Sequence, residues 1–506
     1  MERSKKRAVV VVPHQDDEIL TGGAALVELI RSRDWETDVI YTTNGDSRGA
    51  WEAEIRMQDA CRVLQFLGMS RDHIHFLGYA NRWQGDMHIY NAIHGETLTS
   101  RIGRDETYGT KEIPDSCFKR ENVHHKYTRK NLKEDLKGLL GEILPDLCIV
   151  IDLDKHEDHR ACSLLFEECM GEILKELQGY KPLVLKKFAY TGVWKGEKDY
   201  WKMPHRPTAL QEELPNPFLK WNERLQFAVP EDCNTKLLRK NTLFKASKLY
   251  RTQYVWTRAA GYLNDDICFW QRNSNNLALR ASMKASSGNV ECLKDFKIVD
   301  STDIRDSIEW EFDAGIWSPE ENDVKKEIMI TFSDPVLARY FIIYECSLKN
   351  SGIRKLKLVI NESVEKEILI EPGKKNVIEL DDTIPKEIRS IKLAVIESYG
   401  QAIGISEIEI LAEAIPLTEY DLPFKRYIGD SNEKADIWLK AVINMEEKCF
   451  KFKEHWVRNI WIPKWEFCNE HPVLLKKGYL YLPLEVCHIL KKVLKKAGFK
   501  KKVVKR

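Results

Sequence analysis

One histidine, two aspartates and a glutamate stand together in Pro13-His14-Gln15-Asp16-Asp17-Glu18, directly after the apolar run 8–12. That run reads as a buried strand. In an open α/β sheet, ligands bind where strands exit. A nitrogen ligand, an oxygen ligand and a spare carboxylate suit a catalytic zinc, which takes about three protein ligands and keeps a position open for water. A nearby base can then take a proton from that water. Alone, the six residues would read as a loop whose acids complement the start of the next helix. A second cluster, His156-Glu157-Asp158-His159, follows another strand-like run, 147–151. Two His/Asp clusters, each just past a strand, can meet along one sheet edge.

These two clusters resemble the signature of the PIG-L/LmbE-like family of zinc-dependent N-acetylglucosaminyl deacetylases, a Pro/Ala-His-Pro-Asp-Asp-Glu motif and a later His-x-Asp-His. Gln15 stands where the family has proline, at a position that is not a ligand. Further likeness lies between the motifs. Thr43-Asn44-Gly45-Asp46 resembles the family's Thr-x-Gly-Glu turn. Arg56, Asp59, Leu64, Leu67 and Gly68 follow its helix pattern, and Leu77-Gly78-Tyr79 its next strand end. Asn81 stands where the family has aspartate. The resemblance spans about residues 7–255. It implies a Rossmann-like, mostly parallel α/β sheet and one Zn2+ held by His14, Asp17 and His159. It implies Asp16 as general base and His156 as the group that stabilises the oxyanion and protonates the leaving amine. Asp158 would orient His156, and Arg56 would reach the substrate sugar.

The residues between the clusters agree with such a sheet. Strand-like runs alternate with helix candidates at 19–31 and 132–143, the second ended by Pro145. That alternation implies a parallel sheet covered by helices. A dinucleotide site would need a glycine-rich first turn, and this first turn carries acids that would repel a pyrophosphate. The polar segment 85–129 reads as a loop over the site.

Texture changes near residue 270. From 327 to 412, short runs alternate with period two between polar breaks, the pattern of an antiparallel sandwich. Asn275-Asn276-Leu277-Ala278-Leu279, Ile298-Val299-Asp300-Ser301 and Gly404-Ile405-Ser406-Glu407-Ile408-Glu409-Ile410 resemble a discoidin (F5/8 type C-like, galactose-binding-like) domain. Many such domains bind glycans through loops at one end. A purely structural sandwich is the equal alternative. The expected division is 1–260 deacetylase-like, 270–414 sandwich, and 416–506 unassigned.

Composition frames the rest. A chain of 506 residues needs more than one domain. Net charge is +1, so nucleic acid is not expected as a partner. Twelve cysteines without a CxxC read as reduced cytosolic thiols. The basic start 1–7 precedes only five apolar residues, too few for a secretory signal. No run approaches the ~20 apolar residues of a membrane span. Nine of the last sixteen residues are Lys or Arg, interleaved with Leu490, Val493, Leu494 and Phe499. They read either as a solvated tail or as a helix lying on an anionic membrane surface.

The function expected from all this is hydrolysis of an N-acetyl group on an N-acetylglucosamine-type sugar within a glycan or glycolipid. The location expected is cytoplasmic, with peripheral contact at the inner membrane surface through the tail. The alternatives are an amidase on a larger sugar-conjugate amide and a non-catalytic glycan-binding protein.

Overall fold

The computed structural model describes residues 5–428 except 86, 93–94, 191–213, 236–237, 254, 256–260, 300–314, 349, 382–384, 386 and 414–416. The basic tail and the segment from 429 onward lie outside the described residues. Met1–Lys434 is one compact unit.

The first half runs β1 (Lys6–Val12), α1 (Asp17–Thr21), α2 (Gly23–Arg31), β2 (Trp35–Thr43), α3 (Ala50–Leu67), β3 (Ile74–Tyr79), α4 (Ser116–Glu121), α5 (Arg129–Ile143), β4 (Leu147–Ile151), α6 (Glu157–Glu176), β5 (Leu183–Lys187), β6 (Leu225–Ala228), α7 (Thr242–Ser247) and β7 (Asp266–Arg272). Val9 to Val12 and all of β4 are fully buried. Strands covered on both faces need such unbroken apolar runs. The sheet order is β3-β2-β1-β4-β5-β7-β6. β1 pairs in parallel with both β2 and β4. The chain's winding reverses between β1 and β4, and crevices that bind ligands open at that reversal. Both His/Asp clusters leave the sheet there.

Two expectations change. The helix expected over 19–31 is two helices, because Gly23 adopts φ 48° after Gly22 and turns the chain. The first sheet also runs past the expected boundary at 260. β7 pairs antiparallel with β5 and β6, and its Ile267, Cys268, Phe269 and Trp270 are buried. A strand apolar on both faces belongs inside a sheet, so Asp266–Arg272 completes the first one.

The second half adds β8 (Ser282–Ala285), β9 (Glu327–Leu337), β10 (Tyr340–Glu345), β11 (Gly352–Ile360), β12 (Val364–Leu369), β13 (Lys375–Glu379), β14 (Glu387–Tyr399) and β15 (Ile405–Leu411). They form an antiparallel β13-β10-β15 sheet and an antiparallel β12-β11-β14-β9-β8 sheet. Alternate residues of both sheets, among them Phe341, Ile343, Ile408, Ile330, Leu356 and Leu393, meet in one apolar core around Trp317. The expected strands from 327 to 411 are therefore present, with the short β8 added ahead of them.

The sandwich is joined to the first sheet by polar contacts as well as packing. Gly171 on α6 admits the segment at Asp295, because a Cβ there would lie 2.1 Å from the Asp295 carbonyl oxygen. Arg280 donates to the carbonyls of Leu174 (2.6 Å) and Leu177 (3.0 Å), closing the C-terminal end of α6. Buried Arg272 on β7 reaches Glu409 on β15 and lies 3.4 Å from Glu167 on α6. Glu167 also takes the Ile298 N–H (2.9 Å) and the Lys186 ammonium (3.0 Å).

Candidate metal centre

The first cluster leaves β1 in a constrained loop. Asp16 has φ 141°, a conformation that L residues rarely adopt and that costs about 1–3 kcal/mol. Its N–H donates to Glu18 (3.0 Å), and Glu18 in turn meets the Tyr250 hydroxyl. Gln15, in place of the family's proline, donates to the Thr43 carbonyl at 2.7 Å and ties the loop to β2. The result is that adjacent carboxylates face different partners. Asp16 Oδ1 accepts from Arg56 at 2.9 Å, while Asp17 Oδ2 lies 3.0 Å from His14 Nδ1. Gly45 makes the Arg56 approach possible, since a Cβ there would lie 2.6 Å from Arg56 Nε.

The second cluster begins α6, and it closes on the first. His159 Nε2 lies 3.3 Å from Asp17 Oδ2. His14, His156 and His159 each offer a nitrogen within 4.8 Å of the others. A tetrahedral ion about 2.1 Å from each ligand needs ligands about 3.4 Å apart, so the His14–Asp17–His159 spacing fits one. Asp17 Oδ1 is buried with no hydrogen-bond partner among the described residues, and buried His159 Nε2 has only the 3.3 Å approach to Asp17 Oδ2. Buried polar atoms without partners are costly, and a cation between them would satisfy both. Each imidazole is also backed by a carboxylate, as metal-binding histidines usually are. His159 Nδ1 lies 2.7 Å from Asp154 Oδ2, and His14 Nε2 lies 2.9 Å from Asp158 Oδ2. The donor set suits a divalent metal.

Electrostatics point the same way. Burial alone would lower the His159 pKa, but Asp154 and Asp17 outweigh it and push it up to about 10. Burial would raise Asp17, yet His159 and His14 hold it well below the usual carboxylate range. The pocket therefore draws a proton to the spot where a metal would sit, and a metal would displace it. His156 behaves oppositely. Burial, reinforced by the neighbouring His14 and His159, lowers it to about 3. Its Nδ1 accepts the Asp158 backbone N–H at 3.2 Å, so the neutral ring carries its proton on Nε2. A neutral donor suits the oxyanion part of the role expected for His156 better than the proton-delivery part.

All seven expected site residues gather within this crevice, with two changes of partner. The Asp158 carboxylate faces His14 and His88 at 2.9 Å each, and His156 Nδ1 only at 3.7 Å. Its backbone, rather than its side chain, orients His156. Arg56 is buried against Asp16 and the Gln15 carbonyl (3.2 Å). Residues without a motif complete the site. Asp154 had a weak signal, an acid just past β4. Tyr190, whose ring centroid lies 4.6 Å from that of His159, and His88 had none. Asn81 donates its backbone N–H to Asp46 (3.0 Å), which also takes the Tyr108 hydroxyl (2.9 Å).

A second Cys/His/Asp group, Cys117, His125 and Asp135, lies behind Tyr79. Asp135 there already accepts from Tyr79 (2.7 Å) and His125 (2.8 Å), and Arg120 lies 3.5 Å away. That is a closed hydrogen-bond cluster with a cation already beside it.

Residues 9–170 match the family model described as GlcNAc-PI de-N-acetylase (PIG-L). They form a PIG-L domain, of deacetylase type, and the matched stretch contains every residue assigned above from His14 to His159. No curated protein matches the chain. Among solved structures, the family 32 CBM of C. perfringens NanJ, in complex with galactose, is similar at 17% identity and TM-score 0.20, covering 26% of this chain and 92% of that one. A chitosan-binding module of a chitosanase/glucanase from Paenibacillus sp. IK-5 is similar at 10% identity and TM-score 0.20, covering 27% and 98%. The lectin domain of lectinolysin, complexed with Lewis B antigen, is similar at 15% identity and TM-score 0.21, covering 28% and 97%.

Proposed function

We propose that this protein is a zinc-dependent hydrolase that removes the N-acetyl group from an N-acetylglucosamine-type sugar in a glycan or glycolipid. The observation that carries the reading is the cage of His14, Asp17 and His159, with Asp17 Oδ1 buried and unsatisfied and His159 Nε2 facing Asp17, inside a deacetylase-type domain. His14, Asp17 and His159 would hold the zinc. When bound, zinc lowers the pKa of its water and polarises the amide carbonyl.

The chain's own residues do the rest. Asp16, fixed by Arg56 and by its strained backbone, takes the water's proton as general base. The Nε2–H of neutral His156 donates to the oxygen that gains charge. The leaving nitrogen needs one proton, and Asp16 holds one after the attack. Asp158 and Asp154 fix the two ligand rings. The Tyr190 ring walls the crevice beside His159.

The sandwich would hold part of a larger glycan. A cytoplasmic location agrees with the nine described cysteines, all free and buried. No helix among the described residues is long and apolar enough to cross a membrane.

The test is incubation of the full chain with a panel of N-acetylhexosamine conjugates, with free acetate measured. Acetate should appear from N-acetylglucosamine-type conjugates, and His156→Ala should cut its release by roughly a hundredfold, the scale of a lost oxyanion donor. Acetate from no conjugate in the presence of zinc would refute the substrate class.

A further inference from the structure

His88 belongs to no motif, yet it is built into the metal centre. It begins the single helical turn Ile89–Asn91, in the segment between β3 and α4. The turn is rigidly seated. Ile89 and Tyr90 are buried, and the Tyr90 carbonyl accepts from Arg129 at 2.7 Å, with Arg129 in turn paired to Glu168 on α6. The His88 ring is fixed at both nitrogens. Nδ1 accepts the Tyr90 N–H at 3.1 Å, so a neutral ring must carry its proton on Nε2. Nε2 lies 2.9 Å from Asp158 Oδ1. The other oxygen of the same carboxylate lies 2.9 Å from His14 Nε2.

We infer that His88 is a positioning residue for the metal. It holds the Asp158 carboxylate so that Asp158 can hold ligand His14. The inference rests on the reading of His14 as a metal ligand. A buried carboxylate needs a donor for each oxygen, because an unmet one has lost its water without a replacement. Asp158 is 2% exposed, and two imidazole N–H groups fill its two oxygens. Without His88, Oδ1 must recruit water or turn away, and either shift loosens the bond that sets the His14 ring. Carboxylates behind metal-bound histidines typically tune affinity by 10–100-fold. His88 stands one contact further out and sets that carboxylate. It also links the turn Ile89–Asn91 to the metal cage, so the turn's packing and metal affinity are coupled.

The experiment measures zinc affinity by competition with a chelating dye at one fixed pH, using the full chain. Three proteins are compared: wild type, His88→Leu and His88→Gln. The thermal midpoint of each metal-free protein is measured alongside. The leucine variant keeps bulk but loses the N–H. The glutamine variant can place an amide N–H near the Nε2 position. His88→Leu should raise the zinc Kd about tenfold or more with the metal-free midpoint changed by only a few degrees. His88→Gln should recover most of that loss. If wild type and His88→Leu bind zinc equally, His88 only fills space and the inference fails while the metal reading stands. If His88→Gln is as weak as His88→Leu, the donor role is wrong. If wild type binds no zinc, the metal reading fails and takes the inference with it.

Discussion

Asp16→Asn should keep its zinc and lose roughly a hundredfold to ten-thousandfold in kcat, the range for a lost general base. At 1.36 kcal/mol per decade that is about 3–5 kcal/mol of barrier. Asp17→Asn should instead weaken the metal itself. Neighbouring carboxylates in a sequence cannot be told apart by type. Here the backbone separates them. The φ of 141° at Asp16 turns its carboxylate to Arg56, whereas Asp17 faces His14 and His159 at 3.0 and 3.3 Å. Both variants are nearly isosteric, so loss of fold is not the expected outcome. Metal content after dialysis and kcat at saturating zinc separate the two effects. Equal metal loss in both would mean that both aspartates are ligands and that the base lies elsewhere.

A chain ending at residue 260 should fail to give a cooperative folded state, while one ending at Lys434 should fold and keep its zinc. Modularity suggested by composition would let 1–260 stand alone. The topology argues against it. The cut removes β7, whose Ile267, Phe269 and Trp270 are buried beside β5 and β6. Burying each such side chain is worth about 1.5–3 kcal/mol. It also removes Arg272 and the Ile298 N–H from Glu167, which is left with Lys186 alone. The face of α6 around Gly171, now covered at Asp295, would open to water. Whole domains are stable by only about 5–15 kcal/mol, so these losses reach the total. Circular dichroism during heating decides it. A sharp transition for 1–260 near that of the full chain would mean that the sandwich is an independent appendage.

What was legible in the sequence had local causes. The runs that became β1 and β4 are unbroken and apolar because they are covered on both faces. The period-two runs from 327 onward became strands because each has one face on the Trp317 core. The gathering of His14, Asp17 and His159, the proposed ligands, was legible because two dense clusters follow two such strands. What was not legible depends on distant pairings. Asp158 was expected behind His156 because they are two residues apart, but its side chain turns to His14 and His88, 144 and 70 residues away. Arg56 was expected on substrate, and only the fold brings it under Gly45 to Asp16. β7 sits at a change of texture, and its place in the first sheet follows from pairing with β5, about eighty residues earlier. His88 lies in a polar segment where nothing local marks one histidine above another.

Zinc titration of chelator-treated full chain by calorimetry, beside His159→Ala, tests the centre most directly. Wild type should take up one zinc per chain, with proton release, because the proton drawn to His159 by Asp154 and Asp17 must leave. His159→Ala should show no comparable site, since Cys117, His125 and Asp135 form a closed cluster that does not substitute. Wild type that binds no zinc, or His159→Ala that binds one equally tightly, would contradict the metal reading.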